Sequence, residues 1–348
     1  MNLDFWKSKK VFLTGHTGFK GSWLVRILHL LGSSIDGYAL SPSTKFNLFD
    51  LLNLNNICSS TIGDINSFDL LDKKLVEADP HIVIHMAAQP LVINSVKDPL
   101  STVNTNILGT ANLLESCRKL ESCKAILIVT TDKCYQADPK GIPMNETSPL
   151  GGNDPYSASK ACAEIITHSY RNTYFNSINS PSISTARAGN VIGGGDWSEN
   201  RLITDIVEHI WNSKPLFLRY PNAVRPWQHV LDSLFGYLTL IQKMYENKIY
   251  NGAWNFGPST MDSFSVKMIV DMFKSTNELT YNYLKPNITE TDYLRLDTTK
   301  VKNSINWTNK LSTTETVELT RNWYSEFYTN KSAEEITDKQ IKFYLKNF

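Results

Sequence analysis

Short apolar runs recur through the first half of the chain, each separated from the next by enough residues for a helix. That rhythm restricts the fold more than any other feature of the sequence. Val11-Phe12-Leu13, residues 35–40, Thr61-Ile62, HIVIHMAA from His81 and AILIVTT from Ala125 read as strands. Residues 22–31, 67–78 and a stretch within 100–120 carry apolar side chains at helical spacing between them. Strands alternating with helices form right-handed crossovers, so they lie parallel in one sheet covered on both faces. Asp154-Pro155 opens a further helix, the carboxylate capping free N–H groups and the proline suiting the first helical position. The run ISTAR, ending at Arg187, adds another strand.

After Arg187 the alternation stops, and Gly193-Gly194-Gly195 begins a loop-rich stretch. The expected fold is therefore α/β, a Rossmann-type doubly wound parallel sheet with a smaller, interleaved C-terminal lobe that binds substrate. Residues 1–186 form the nucleotide-binding domain and 187–348 mainly the second lobe, with segments around 228–256 returning to the first. The 35 basic and 34 acidic side chains nearly cancel and form no basic run. Nucleic acid and anionic membranes are thus not expected partners, and an anionic ligand must be held by a few placed cations. No apolar stretch reaches the ~20 residues that span a bilayer, and the N-terminal residues lack a signal-peptide core. Five cysteines, an odd set without a CxxC pair, fit a reducing compartment. The expectation is a soluble, cytoplasmic protein.

Gly15-His16-Thr17-Gly18-Phe19-Lys20-Gly21 lies between the first strand and the first helix. Glycines there let backbone N–H groups approach a pyrophosphate at the helix N-terminus, which marks the turn as dinucleotide-binding. The second strand ends Tyr38-Ala39-Leu40-Ser41, without the acidic residue that often holds the adenosine ribose, so this position does not choose between NAD and NADP. Asp64, after the third strand, is a candidate for the adenine edge.

Tyr156 and Lys160 stand four apart on one helix and share a face. An ammonium beside a phenol favours the phenolate, bringing it toward base chemistry near neutral pH. Thr130-Thr131-Asp132-Lys133 ends the fifth strand, where open α/β sheets bind ligands. It supplies a hydroxyl donor, a general acid and an amine. His16 and His229 have no partners at metal-ligand spacing, so no metal site is inferred.

The glycine turn, HMAAQP from His85, VNTNILGTANLLES from Val103, the TDK triplet and YSASK from Tyr156 resemble the extended short-chain dehydrogenase/reductases that act on nucleotide sugars. GHTGFKGSW, TTDKCY, GGNDPYSASK, RAGNVIGGGDW and RPWQHVLD are more narrowly similar to the CDP-glucose 4,6-dehydratases, where Lys133 stands in place of a glutamate found in relatives using other nucleotides. The resemblance implies NAD as cofactor, held by Gly15, Thr17, Gly18, Phe19, Gly21, Asp64, Ile65, Ala87, Ala88, Gln89, Asn106, Tyr156 and Lys160. It implies a homodimer joined through the helix within 100–120 and the helix from Pro155, and a place in deoxysugar synthesis for surface polysaccharide.

In the reaction so implied, Tyr156 takes the proton of the sugar 4-hydroxyl as hydride passes from C4 to NAD. Lys160 holds the nicotinamide ribose, and Thr131 hydrogen-bonds the 4-oxygen. Asp132 protonates the departing 6-hydroxyl. Either Lys133 removes the C5 proton, or it orients Asp132 while another group does so. Arg187, Asn190, Arg201 and Arg225 are candidates for the diphosphate, with Arg187 and Arg225 foremost among the arginines. Trp197 and Trp227 are either base-stacking or core residues. A 4-epimerase would share Tyr156 and Lys160 without needing Asp132 and Lys133, and a non-catalytic dinucleotide-binding regulator would need neither pair.

Overall fold

The computed structural model describes residues 1–136, 138, 140–258, 264–274, 279–284 and 293–346. Seven strands form the main sheet: β1 (Lys10–Thr14), β2 (Ser34–Ala39), β3 (Ser59–Ile62), β4 (Ile82–His85), β5 (Ala125–Val129), β6 (Ser182–Ala188) and β7 (Gly252–Phe256). Their order is β7-β6-β5-β4-β1-β2-β3, and every neighbouring pair is parallel. β4 and β5 are buried along their whole length, which accounts for their nearly unbroken apolar sequence. β6 is equally buried yet polar. Its hydroxyls are satisfied inside, Ser184 donating to Tyr250 O and Thr185 to Glu164.

The larger helices are α1 (Phe19–Leu30), α2 (Phe68–Ala78), α3 (Gly109–Cys117), α4 (Pro155–Thr173), α5 (Leu202–Asn212), α6 (Val230–Glu246), α7 (Thr313–Tyr328) and α8 (Ala333–Lys346). α1 begins three residues before the periodicity predicts, directly after Gly18 at its N-cap. The glycines of the turn hide that first helical turn from any count of apolar spacing. α4 begins at the Asp154-Pro155 signal, the Asp154 carboxylate accepting from Ser157 N at 2.9 Å. The predicted helix within 100–120 is three contiguous pieces, Pro99–Val103, a π-turn at Asn104–Leu108, and α3. Leu100, Leu108 and Ile165 lie exposed on these pieces and on α4.

One face of the sheet packs Trp23, Phe235, Trp254 and Trp323 into a large core. The other packs Phe12, Tyr38, Leu71, Leu75, Leu113 and Leu114. α6 leads into β7, which pairs with β6 at the sheet edge. α8 is tied back to the first half of the chain. Arg26 of α1, 8% exposed, holds Asp338 at 2.7 Å and Glu334 at 2.8 Å, and Tyr344 donates to Asp232 of α6 at 2.7 Å. Among the described residues, no helix is long and apolar enough to cross a membrane.

Candidate active site

The strand order changes direction between β1 and β4, and the carboxyl ends of both strands open into a cleft at that point. A cavity of about 580 Å³ runs from the glycine turn, past the ends of β4 and β5, to residues 188–227. Among the described residues, none after Val266 lines it.

The turn is built for close approach. Gly15 has φ +78°, and a Cβ on it would lie 2.7 Å from Ala87 N. A Cβ on Gly21 would strike Gly15 O, so only glycine lets α1 pack this tightly beneath the turn. Thr17 Oγ1 donates to Leu40 O at 2.8 Å, fixing the turn against the end of β2. Gly15, Thr17, Gly18, Phe19, Gly21, Asp64, Ile65, Ala87 and Ala88 all line the cavity. The Asp64 carboxylate is engaged by Asn66, through its backbone N at 2.9 Å and its amide at 3.0 Å. Gln89 and Asn106 do not line the cavity. They clasp one another instead: Gln89 N donates to Asn106 Oδ1 at 2.8 Å and Asn106 Nδ2 to Gln89 O at 3.1 Å. The pair braces the loop after β4 against the π-turn. The residues along this wall fit a dinucleotide, with a glycine cradle for the pyrophosphate and the Tyr156/Lys160 face beyond it.

At the end of β5 the Thr131 hydroxyl donates to Asp132 Oδ1 at 3.1 Å. Asp132 is 2% exposed, and among the described residues its Oδ2 has no hydrogen-bond partner. Burial pushes the Asp132 carboxyl up to about 6, opposed chiefly by Lys133. A general acid for work near neutral pH requires a shift in this direction. Tyr156 and Lys160 reach the same cavity from α4. Burial raises the Tyr156 phenol to about 12, with the Thr131 hydroxyl opposing, and lowers Lys160 to about 8, with Glu164 opposing. The expectation that the ammonium would lower the phenol is therefore not met in the protein alone. Desolvation is the largest influence on both groups.

Asn190, Arg201 and Arg225 line the far end, with Arg201 held to Asp196 at 3.1 Å. Arg187 departs from its expected place. Its side chain is 4% exposed and outside the cavity, paired with Glu164 at 2.8 Å and bonded to the Tyr135 hydroxyl at 2.7 Å. It braces the inner face of α4 against β6. Trp227 lines the cavity, whereas Trp197 sits in an aromatic cluster with Trp323, Tyr324 and Phe327. Sequence reasoning missed two cations of the cavity, Lys20 and Arg219. Lys20 had a signal, a lysine inside the glycine turn at a helix N-terminus; Arg219 had none.

Fold and site together define an α/β enzyme of the short-chain dehydrogenase/reductase type. The profile of the GDP-mannose 4,6-dehydratase family matches residues 12–320, and the chain belongs to that family. It is 39% identical to a CDP-glucose 4,6-dehydratase of Salmonella typhimurium, over 99% of this chain and 98% of that protein. A dTDP-glucose 4,6-dehydratase of Streptomyces antibioticus is 31% identical over 65% of this chain and 66% of its own. Among solved structures, UDP-glucose 4-epimerase of Thermotoga maritima with UDP-glucose superposes with a TM-score of 0.80 at 23% identity, covering 91% of this chain and 99% of that one. dTDP-glucose 4,6-dehydratase of Bacillus anthracis, in complex with NAD, gives 0.78 at 23% identity, covering 95% and 100%.

Proposed function

We propose that this enzyme is an NAD-dependent CDP-glucose 4,6-dehydratase, a hydro-lyase that converts its substrate to the 4-keto-6-deoxy sugar. The observation that carries the reading is Asp132, a buried carboxyl with an unpartnered oxygen beside Tyr156 and Lys160. An epimerase returns its hydride to C4 and has no departing hydroxyl to protonate. The near-full-length similarity to a CDP-glucose 4,6-dehydratase supports the nucleotide.

The glycine turn would hold NAD, whose nicotinamide would supply reversible hydride acceptance for the C4 oxidation and the C6 reduction. Tyr156 accepts the 4-hydroxyl proton, and Lys160 holds the nicotinamide ribose. Thr131 donates to the 4-oxygen. Asp132 gives its proton to the 6-oxygen as Lys133 takes the C5 proton, so one water leaves across C5–C6. The C5 position then recovers a proton from Lys133. Gly15, Thr17, Gly18, Phe19, Gly21, Asp64, Ile65, Ala87 and Ala88 hold the dinucleotide, while Gln89 and Asn106 brace that wall. Asn190, Arg201 and Arg225 hold the diphosphate. In this reading residues 1–186 and the 228–256 segment form the NAD-binding unit, and the sugar nucleotide lies against 187–227. Exposed Leu100, Leu108 and Ile165 support pairing of two subunits through their helices.

The test is incubation with NAD and, separately, CDP-glucose, dTDP-glucose and GDP-mannose in heavy water, read by mass spectrometry. Loss of one water with a deuteron at C5, from CDP-glucose alone and without net NADH, is the expected result. A product of unchanged mass would convert the assignment to an epimerase.

A further inference from the structure

Past Arg201, the cavity is lined by Asp205 of α5 and by residues 217–220. Asp205 stands one helical turn after Arg201, about 6 Å further along the axis, its backbone N–H donating to Arg201 O at 2.9 Å. An acid in the first turn of a helix suits the macrodipole, but the macrodipole does not account for its place inside the cavity. The charges around it are engaged elsewhere. Arg201 holds Asp196 at 3.1 Å, Lys214 holds Glu208 at 2.6 Å, and the Arg219 guanidinium donates to Asn200 O at 3.2 Å. Among the described residues the Asp205 carboxylate has no hydrogen bond or ion pair of its own.

The chemistry of this end limits what it can hold. Phe217, in a two-residue strand paired with Asn282-Tyr283, leaves 46% of its surface open, so a flat ring can lie against it. Asp205 offers hydrogen-bond acceptors and Arg219 offers donors. Burial raises the Asp205 carboxyl to about 6, with Arg219 opposing, so the group carries its charge above that pH. A ring that meets both needs a donor for Asp205 and an acceptor for Arg219. Cytosine has both, an amine on C4 and acceptors at N3 and O2. Uracil and thymine carry an oxygen on C4 instead, and a carboxylate repels it.

We propose that Asp205 is the residue that chooses the nucleotide: its carboxylate accepts a hydrogen bond from the C4 amine of cytosine, with Arg219 donating to the acceptor edge of the same ring. This rests on the dehydratase reading above, and it names the group within that reading that separates CDP-glucose from UDP- and dTDP-glucose. With the diphosphate on Asn190, Arg201 and Arg225, the base lies one helical turn further along α5. Asp205 touches no reacting atom in this role. Discrimination comes from both sides, a bond gained with cytosine and a facing pair of acceptors with uracil or thymine.

The experiment measures, by calorimetry with NAD present, the binding of CDP, UDP and the diphosphate of the pyrimidin-2-one riboside, which lacks the C4 amine. Wild type is expected to bind CDP at least about tenfold more tightly than the other two, and Asp205→Ala to bind all three within about threefold of one another. Asp205→Asn, whose amide can turn either oxygen or NH₂ to the base, gains affinity for UDP as it loses affinity for CDP. A side chain that merely supports α5 weakens all three ligands alike, so a preference for CDP that survives in Asp205→Ala overturns the proposal. Equal binding of CDP and the pyrimidin-2-one by wild type overturns it without any variant. Water loss from CDP-glucose by wild type tests the dehydratase reading separately. Turnover of CDP-glucose with the preference intact in Asp205→Ala removes only the role of Asp205, whereas turnover confined to dTDP-glucose or GDP-mannose removes both.

Discussion

Glu164 is the pivot beneath the site. One carboxylate oxygen accepts from Thr130, and the other from Thr185 at 2.7 Å and Arg187 at 2.8 Å. Both charged partners are almost fully enclosed, at 4% and 3% exposure. Glu164→Gln leaves the Arg187 guanidinium buried without a counter-charge, an imbalance that costs about 3–5 kcal/mol. With about 2.1 cal/mol/K of unfolding entropy per residue, the 348 residues give about 0.7 kcal/mol/K, so the melting temperature drops by about 4–7 °C. Circular dichroism melts at fixed NAD concentration measure it. The double variant Glu164→Leu/Arg187→Met removes both charges and recovers most of the loss. Its KM for CDP-glucose stays near the wild-type value, because Arg187 does not reach the cavity. A fall in melting temperature below about 1 °C for Glu164→Gln, or a KM raised tenfold in the double variant, would refute the reasoning. Glu164 also supports the Lys160 ammonium, so Glu164→Gln moves the pH profile of hydride transfer as well.

Three further substitutions test the site directly. Tyr156→Phe removes the proton acceptor and lowers turnover by about 10²–10⁴-fold, with an unchanged circular dichroism spectrum; residual activity near wild type would exclude Tyr156 as the base. Burial raises Asp132 to about 6, so the folded state binds that proton more tightly than the unfolded chain does. The resulting penalty is absent below the ordinary aspartate range and grows as pH rises toward 6. Asp132→Asn therefore stabilises the fold by about 3 kcal/mol at pH 7.5 and little at pH 4, while slowing water loss so that NADH accumulates; no gain in melting temperature at pH 7.5 would remove the burial argument. Gly21→Ala drives a Cβ into Gly15 O and opens the turn, so NAD binding by equilibrium dialysis weakens at least about tenfold, and unchanged affinity would mean that the turn does not cradle the cofactor.

Six of the seven strands were legible because each carries its own signal, whereas β7 was anticipated only within a segment around 228–256 returning to the first unit. β4 and β5 are buried on both faces, and such strands must be apolar throughout. Asp154-Pro155 marks a helix start through backbone chemistry that acts within a few residues. The glycine turn and the Tyr156/Lys160 face were legible for the same reason. Arg187 was not. Its partner Glu164 is 23 residues away on another element, and a strand-end arginine looks the same in sequence whether it faces a ligand or a buried carboxylate. The direction of the Tyr156 shift was misjudged because burial, which sequence spacing does not report, dominates it. Arg219 escaped because an isolated arginine in a loop carries no pattern, and its place in the cavity is set by tertiary packing.

The clasp between α1 and α8 joins residues 312 positions apart. The helix that follows the glycine turn is thus translated 312 residues before the Asp338 carboxylate that pairs with its Arg26. Until residues 334 and 338 emerge, the first nucleotide-binding crossover carries a guanidinium without the two carboxylates it meets in the fold. Domains commonly fold as units during synthesis, whereas this half takes the Asp338 counter-charge of Arg26 from a segment made 312 residues later. Mutations in α8 that never touch the cleft therefore bear on the helix that begins at the glycine turn.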